Sequence, residues 1–237
     1  MKIKILNIFL FMLLPSLAWS QSLDQILEEH FIAIGQNNLI AMRSVALEVR
    51  LMDGLSNGRK FRIIKKFPNK LRIEGDWNGT PYAKCFDGQV AWEIAPWTGD
   101  SSVQILNERD KDLLLMDVGI GSPLYDYGLG NALELIGSER ADDSNHYVIR
   151  STSASGFVVD YLVDKIDKKI HLARIYSEED PQKKEKEIIY KNYKDLPGVS
   201  IPFGYEHRTE QAISDLVTDD IVIGQGAPNQ LFSAPKD

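Results

Sequence analysis

Apolar and polar residues alternate in short runs along much of this chain, most densely between Phe61 and Trp97. Leu71-Arg72-Ile73-Glu74, Tyr82-Ala83-Lys84-Cys85-Phe86 and Val90-Ala91-Trp92-Glu93-Ile94 are short β-like runs separated by turn residues. Pro68-Asn69 ends the run that starts at Phe61, because proline fixes φ and has no N–H to donate. Asn78-Gly79 and Asp87-Gly88 predict hairpin turns, since a type I′ turn needs positive φ at both central residues. Consecutive hairpins predict an antiparallel meander with one apolar and one wet face. That is the pattern of a container wall.

The same period recurs on both sides of this stretch. Val45, Leu47, Val49 and Leu51 alternate with more polar positions, and Ser102–Leu106 reads as a further strand. Strands are predicted again over Ala132–Glu139, His146–Ser151, Phe157–Val163, His171–Ser177, Lys184–Asn192, Ile201–Arg208 and Ala212–Val217. A last apolar run is Ile221-Val222-Ile223, and Leu231-Phe232 is an anchor in the tail. Two segments change period. Leu23, Ile26, Leu27, Phe31 and Ile34 recur at helical spacing behind Ser22 as N-cap and before Gly35 as C-terminal stop, with a short helical piece over Asn38–Met42. Glu108–Val118 forms a second helical pattern, charged first and then apolar from Leu113 to Met116. The prediction is a mainly β chain with helices: a curled or incompletely closed antiparallel sheet of about eleven strands.

The first residues change this picture. Met1–Lys4 is a short basic start, Ile5–Leu14 is uncharged and apolar, and Ala18-Trp19-Ser20 carries small residues where a signal peptidase reads. Cleavage before Gln21 is expected, leaving residues 21–237 as one exported domain. The apolar run is short for a membrane-spanning helix. No cysteine stands at the expected cleavage site, so no lipidated N-terminus is expected. Without Lys2 and Lys4 the mature chain carries 25 basic and 34 acidic side chains, a net charge of −9. Such an acidic chain has no global electrostatic reason to bind nucleic acid. Seven basic residues between Arg59 and Arg72 form a local stripe, read as a solvated strand face.

Candidate chemistry is sparse. Cys85 is the one cysteine and lies in an apolar strand, which suits a buried, inert thiol. His30, His146, His171 and His207 fall in four different elements without metal-ligand spacing, so no metal site and no cofactor is expected. No nucleophile elbow, P-loop or dinucleotide-binding glycine pattern occurs. Asp142-Asp143 and Glu178-Glu179-Asp180 lie in turns. What remains is apolar surface. Phe61, Ile63, Leu71, Ile73, Trp77, Trp92, Ile94 and Trp97 are the candidate cavity wall, and Leu113, Leu114 and Met116 its lid. Periodicity alone does not separate a lined cavity from a filled core.

The chain resembles the LolA-like family of periplasmic carriers and sorting proteins for outer-membrane lipoproteins. The resemblance is carried by the leader followed by an amphipathic helix, by Lys66–Arg72 around Pro68-Asn69, and by Phe86–Trp92 around Asp87-Gly88. It continues through Ile189–Tyr193, Gly198–Pro202 and Leu231–Pro235. It implies a half-open antiparallel barrel whose concave side is lidded by helices and holds acyl chains, with no cofactor. It also implies a monomer that accepts a lipoprotein from an inner-membrane exporter and passes it to an outer-membrane acceptor. A lipid- or peptide-sensing module of the same fold is the alternative. The arginine that precedes the Pro-Asn pair in the well-studied carriers is Phe67 here, so an identical transfer cycle is not implied.

Overall fold

The computed structural model describes residues 21–53, 57–177, 180 and 182–235. The expected leader (1–20), turn positions 54–56 and the Glu178-Glu179 pair lie outside the described residues. Helix α1 (Leu23–Ile34) opens the described part and is followed by α2 (Gln36–Met42). Six strands come next: β1 (Ser44–Met52), β2 (Asn57–Lys66), β3 (Lys70–Trp77), β4 (Thr80–Phe86), β5 (Ala91–Ala95) and β6 (Asp100–Ile105). After α3 (Glu108–Leu115) come β7 (Ala132–Ala141), β8 (Ser144–Thr152), β9 (Val158–Asp164) and β10 (Ile170–Tyr176). The last strands are β11 (Lys184–Leu196), β12 (Val199–Thr209) and β13 (Ile213–Ile223), and a short 3₁₀ turn covers Asn229–Phe232.

Among the described residues thirteen strands form one antiparallel sheet in the order β6-β5-β4-β3-β2-β1-β13-β12-β11-β10-β9-β8-β7. The expected meander is therefore two meanders, joined where β1 pairs with β13. The sheet is not closed, and its two edges are β6 and β7. Those edge strands are consecutive in sequence. The connection from Leu106 to Asn131 must cross from one edge to the other, and it does so over one face, carrying α3 with it. We call the helix-covered face inner.

The strand count exceeds the expected number, and one boundary error is instructive. Asp219-Asp220 looks like a break between two apolar runs, yet β13 continues through it. The pairing jumps from Val49 with Thr218 to Glu48 with Asp220, so Asp219 is the extra residue of a β-bulge. Its carboxylate accepts from Arg50 Nε at 2.7 Å and 2.9 Å, which supplies the charge partner a turn would have found in water.

Turn chemistry explains the hairpins. Asn78 and Gly79 take φ of 54° and 84°, and Asp142 and Asp143 take 46° and 64°, as two-residue hairpin turns require. Asp87-Gly88 differs: the Asp87 carboxylate accepts from the N–H groups of Gln89 and Val90 and builds a longer loop.

The helix α1 forms as its sequence dictates. Ser22 Oγ accepts from Gln25 N–H while the Gln25 side chain accepts from Ser22 N–H, a reciprocal capping box. Gly35 ends the helix at φ +69°, and a Cβ there would stand 2.1 Å from the Gly198 carbonyl oxygen. Ile26, His30 and Ile34 are buried, and Ile26 packs in an inner-face core with Ile149, Tyr161 and Ile175. Beneath α3, Leu71, Phe86 and Ala91 pack with Leu114 and Val118. The inner face is thus mostly apolar beneath the helices.

Candidate functional site

Near the middle of the inner face the helices and the sheet separate enough to leave a cavity. Val45, Leu47, Ile201 and Ile221 come from the strands, and Leu39 and Ile120 from the cover. Tyr190, Tyr193 and Tyr205 line it as well, with the Tyr190 and Tyr205 rings edge-on at 5.3 Å. Its volume is about 60 Å³, whereas ligand pockets commonly hold roughly 300–1,000 Å³. A second cavity of about 250 Å³ lies between α3, Tyr127 and the inner ends of β8 and β9. Met116 and Pro123 border both.

Hydrogen bonds hold the cover down. His30 on α1 is 1% exposed; its Nδ1 lies 2.6 Å from the Lys168 carbonyl and its Nε2 2.7 Å from Ser122 Oγ. A carbonyl only accepts, so Nδ1 carries the proton and Nε2 accepts from the serine hydroxyl. Gln36 on α2 donates to Tyr127 Oη at 2.8 Å and accepts from Ser122 N–H at 2.8 Å. Tyr127 Oη also accepts from Gly121 N–H at 2.9 Å. Side-chain space at Gly121 is taken by Gln36, whose Oε1 would lie 2.2 Å from a Cβ. Lys168 Nζ meets Glu29 at 2.8 Å. Burial brings the His30 imidazole down to about 4, against the raising effects of the Lys168 carbonyl and of Asp167.

The cavity also holds charge. Lys65 on β2 and Asp117 after α3 both line it. Burial lowers the Lys65 ammonium, and the Asp117 carboxylate opposes that shift. Burial raises the hydroxyls of Tyr190 and Tyr205 well above the ordinary phenol range, and Asp117 acts in the same direction on both. These groups are a small set of hydrogen-bonding atoms inside an otherwise apolar space.

The predicted wall and lid residues do not all meet. Phe61, Ile63, Leu71 and Ile73 share the inner face, and Ile63, Leu71 and Ile73 pack under α3. Leu114 joins them, Leu113 packs on the neighbouring core, and Met116 reaches the cavity itself. Trp77 lies at the far rim of the inner face, edge-on to Trp97 at 5.8 Å and under the Arg59 guanidinium at 4.3 Å. Trp97 is half exposed there. Trp92 and Ile94 lie on the other face. Strand pairing sets Arg72 beside Cys85 and Cys85 beside Trp92, out of phase with Leu71, Phe86 and Ala91. The C-terminal tail covers that face: the Phe232 carbonyl accepts from Trp92 Nε1 at 3.0 Å and from the Cys85 thiol at 3.3 Å. Burial pushes that thiol up to about 12, and Cys85 is buried as its sequence context implies.

The basic stripe is not simply a solvated face. Lys66 Nζ donates to the Ala227 carbonyl, and Arg72 donates to the Leu231 carbonyl, so both pin the tail. Lys65 enters the cavity and Arg59 stacks on Trp77. Sequence reasoning missed His30, Gln36, Lys65, Tyr190 and Tyr205. The left-handed backbone at Asn192, with φ 54°, obscures the phase of the tyrosines, although Tyr190 and Tyr205 are direct cross-strand partners. Phe67 packs beside Leu39 and Val45, and the Arg43 guanidinium stands 5.6 Å from its ring.

No protein-family profile matches the sequence, and no curated protein matches it. Solved structures do. A DUF1329 family protein from Desulfovibrio piger superposes with a TM-score of 0.63 at 16% identity, covering 88% of this chain and 97% of that one. A LolA superfamily protein from Nitrosomonas europaea gives 0.63 at 16% identity, with 90% and 98% covered. A domain from Vibrio parahaemolyticus, assigned to outer membrane lipoprotein sorting, gives 0.60 at 13% identity, with 84% and 94% covered. At these identities the likeness is one of fold, and it spans nearly the whole of each chain: an open antiparallel sheet with a helical cover, the LolA-like fold.

Proposed function

We propose that this chain is a periplasmic binding protein rather than an enzyme. It takes up the acyl chains of outer-membrane lipoproteins, or of a related lipid, between the sheet and its helical cover and carries them across the periplasm. The observation that carries this reading is the nature of the closure. An apolar sheet face and an apolar cover meet around a cavity, and the cover is tied by exchangeable hydrogen bonds at His30, Gln36 and Tyr127. Each buried CH₂ gains about 0.8 kcal/mol, so a long acyl chain outweighs a few such ties, whose net worth is about 1 kcal/mol each. The closed cavity then opens by movement of α1, α2 and Met116. Lys65, Asp117 and the tyrosine hydroxyls suit the ester or amide end of the lipid. An inner-membrane exporter as donor and an outer-membrane acceptor complete this reading. With Phe67 packed under Arg43, release does not use an arginine at that position.

Native mass spectrometry of the chain purified from the periplasm tests the proposal. A lipid or lipoprotein adduct at one per chain is the expected result. A bare mass that stays bare after incubation with a diacyl lipid would overturn it.

A further inference from the structure

The outer face carries a second constellation, remote from the helical cover. His146 on β8, Asp164 at the end of β9 and His171 on β10 each offer one donor atom, all within 4.8 Å of one another. His146 and Asp164 are cross-strand partners and both are 2% exposed. His171 sits where the β9–β10 register shifts, and such a bulge re-aims a side chain. His146 Nε2 lies 3.4 Å from His171 Nδ1 and 3.9 Å from Asp164 Oδ2.

Asp164 and His171 are each held so that one atom points inward. Asp164 Oδ1 accepts from Ile166 N–H at 2.7 Å and Asp167 N–H at 2.9 Å, while Oδ2 is buried without a hydrogen-bond partner. His171 Nε2 is 3.0 Å from Asp167 Oδ2, which turns Nδ1 toward the cluster. A carboxylate on the far nitrogen of an imidazole is the arrangement that orients histidine metal ligands. Two imidazoles on a tetrahedral zinc, with bonds of about 2.0–2.1 Å, stand about 3.3 Å apart. The histidine pair already has that spacing, and a small shift of Asp164 completes the set.

We propose that His146 Nε2, His171 Nδ1 and Asp164 Oδ2 form a binding site for one divalent transition-metal ion of the Zn²⁺ type, with Asp167 as a positioning residue. The partly exposed side of His171 gives the ion its way in and a fourth position for water. The ion would satisfy the orphaned Asp164 oxygen and cross-link β8, β9 and β10. The turn that supplies Asp164 and Asp167 also supplies the Lys168 carbonyl that holds α1, so the bound ion stiffens the seat of the helical cover.

The test is Zn²⁺ titration of the untagged mature chain against a chromophoric chelator, repeated with Co²⁺ to read its visible absorption. One Zn²⁺ per chain is expected, with four- or five-coordinate cobalt bands. His171→Gln should weaken Zn²⁺ binding at least about 100-fold, and Asp167→Asn about 10–100-fold. Zn²⁺ should raise Tm for the parent chain and leave it unchanged for His171→Gln. The bulged, partly exposed position of His171 makes that variant compatible with the fold, and circular dichroism checks it; Asp167→Asn serves if it is not. Parent and Asp167→Asn chains that bind Zn²⁺ equally, or a parent chain that binds none, would overturn the proposal.

Discussion

His30 Nδ1 donates to the carbonyl oxygen of Lys168 at 2.6 Å, joining the first helix to a turn 138 positions later. With Ser122 on its other nitrogen, the imidazole ties three separate segments at one buried point. Closure of the inner face therefore depends on a side chain that must stay neutral.

That dependence has a sign. Burial lowers the His30 value from an ordinary 6.5 to about 4. Between those values the unfolded chain binds a proton that the folded chain does not, so stability is full above pH 6.5 and falls as pH drops toward 4. The loss is about 3 kcal/mol. His207, also lowered to about 4 by burial with Lys186 adding to it, acts in the same direction. Urea unfolding at pH 7 and pH 4 should show the parent chain losing about 3 kcal/mol more than His30→Gln. Equal losses in the two chains would contradict the assignment.

Trp92 and Phe232 make a core that the inner cavity does not share. Both are essentially unexposed, at 1% and 0%. Phe232→Ala should lower stability by about 3–5 kcal/mol, as large-to-small changes of buried aromatic residues do. Where the folded form is still populated, acyl-chain affinity should be unchanged within about twofold. Denaturant titration and dye displacement measure the two quantities.

Lys65 stands inside an apolar space with Asp117 as its opposing charge. Replacing a buried charge by an apolar side chain of similar length is often neutral or stabilising, whereas removing its partner is not. Lys65→Met should leave the unfolding midpoint unchanged or raise it. Asp117→Asn should lower it by about 1 kcal/mol or more. The reverse order would place Lys65 outside the cavity.

Parts of this architecture were legible in the sequence because they are local. Ser22 and Gly35 mark both ends of α1, and alternation marks most of the strands. Alternation also divides Leu71 from Arg72 and Ala91 from Trp92, but it does not say which set faces the helices. That choice is made by long-range pieces: the crossover between β6 and β7 covers one face, and the tail bearing Phe232 covers the other. Neither the apolar character of Trp92 and Ile94 nor the family resemblance tells which face they take. The His146–Asp164–His171 cluster was hidden for a related reason. Its members are neighbours only through hairpin register, and His171 through a register shift that strict alternation does not anticipate.

The most direct measurement sets an inner-face change against an outer-face change in one binding assay. Met116, which borders both cavities, is replaced by Trp to fill the space between them, and Trp92 is replaced by Phe on the opposite face. Displacement of a fluorescent fatty acid by a diacyl lipid then reads acyl binding in each. Binding lowered at least about tenfold by Met116→Trp, roughly 1.4 kcal/mol, and unchanged by Trp92→Phe is the expected result. Equal effects of the two substitutions, or no acyl binding by the parent chain, would contradict a lipid site beneath the helices.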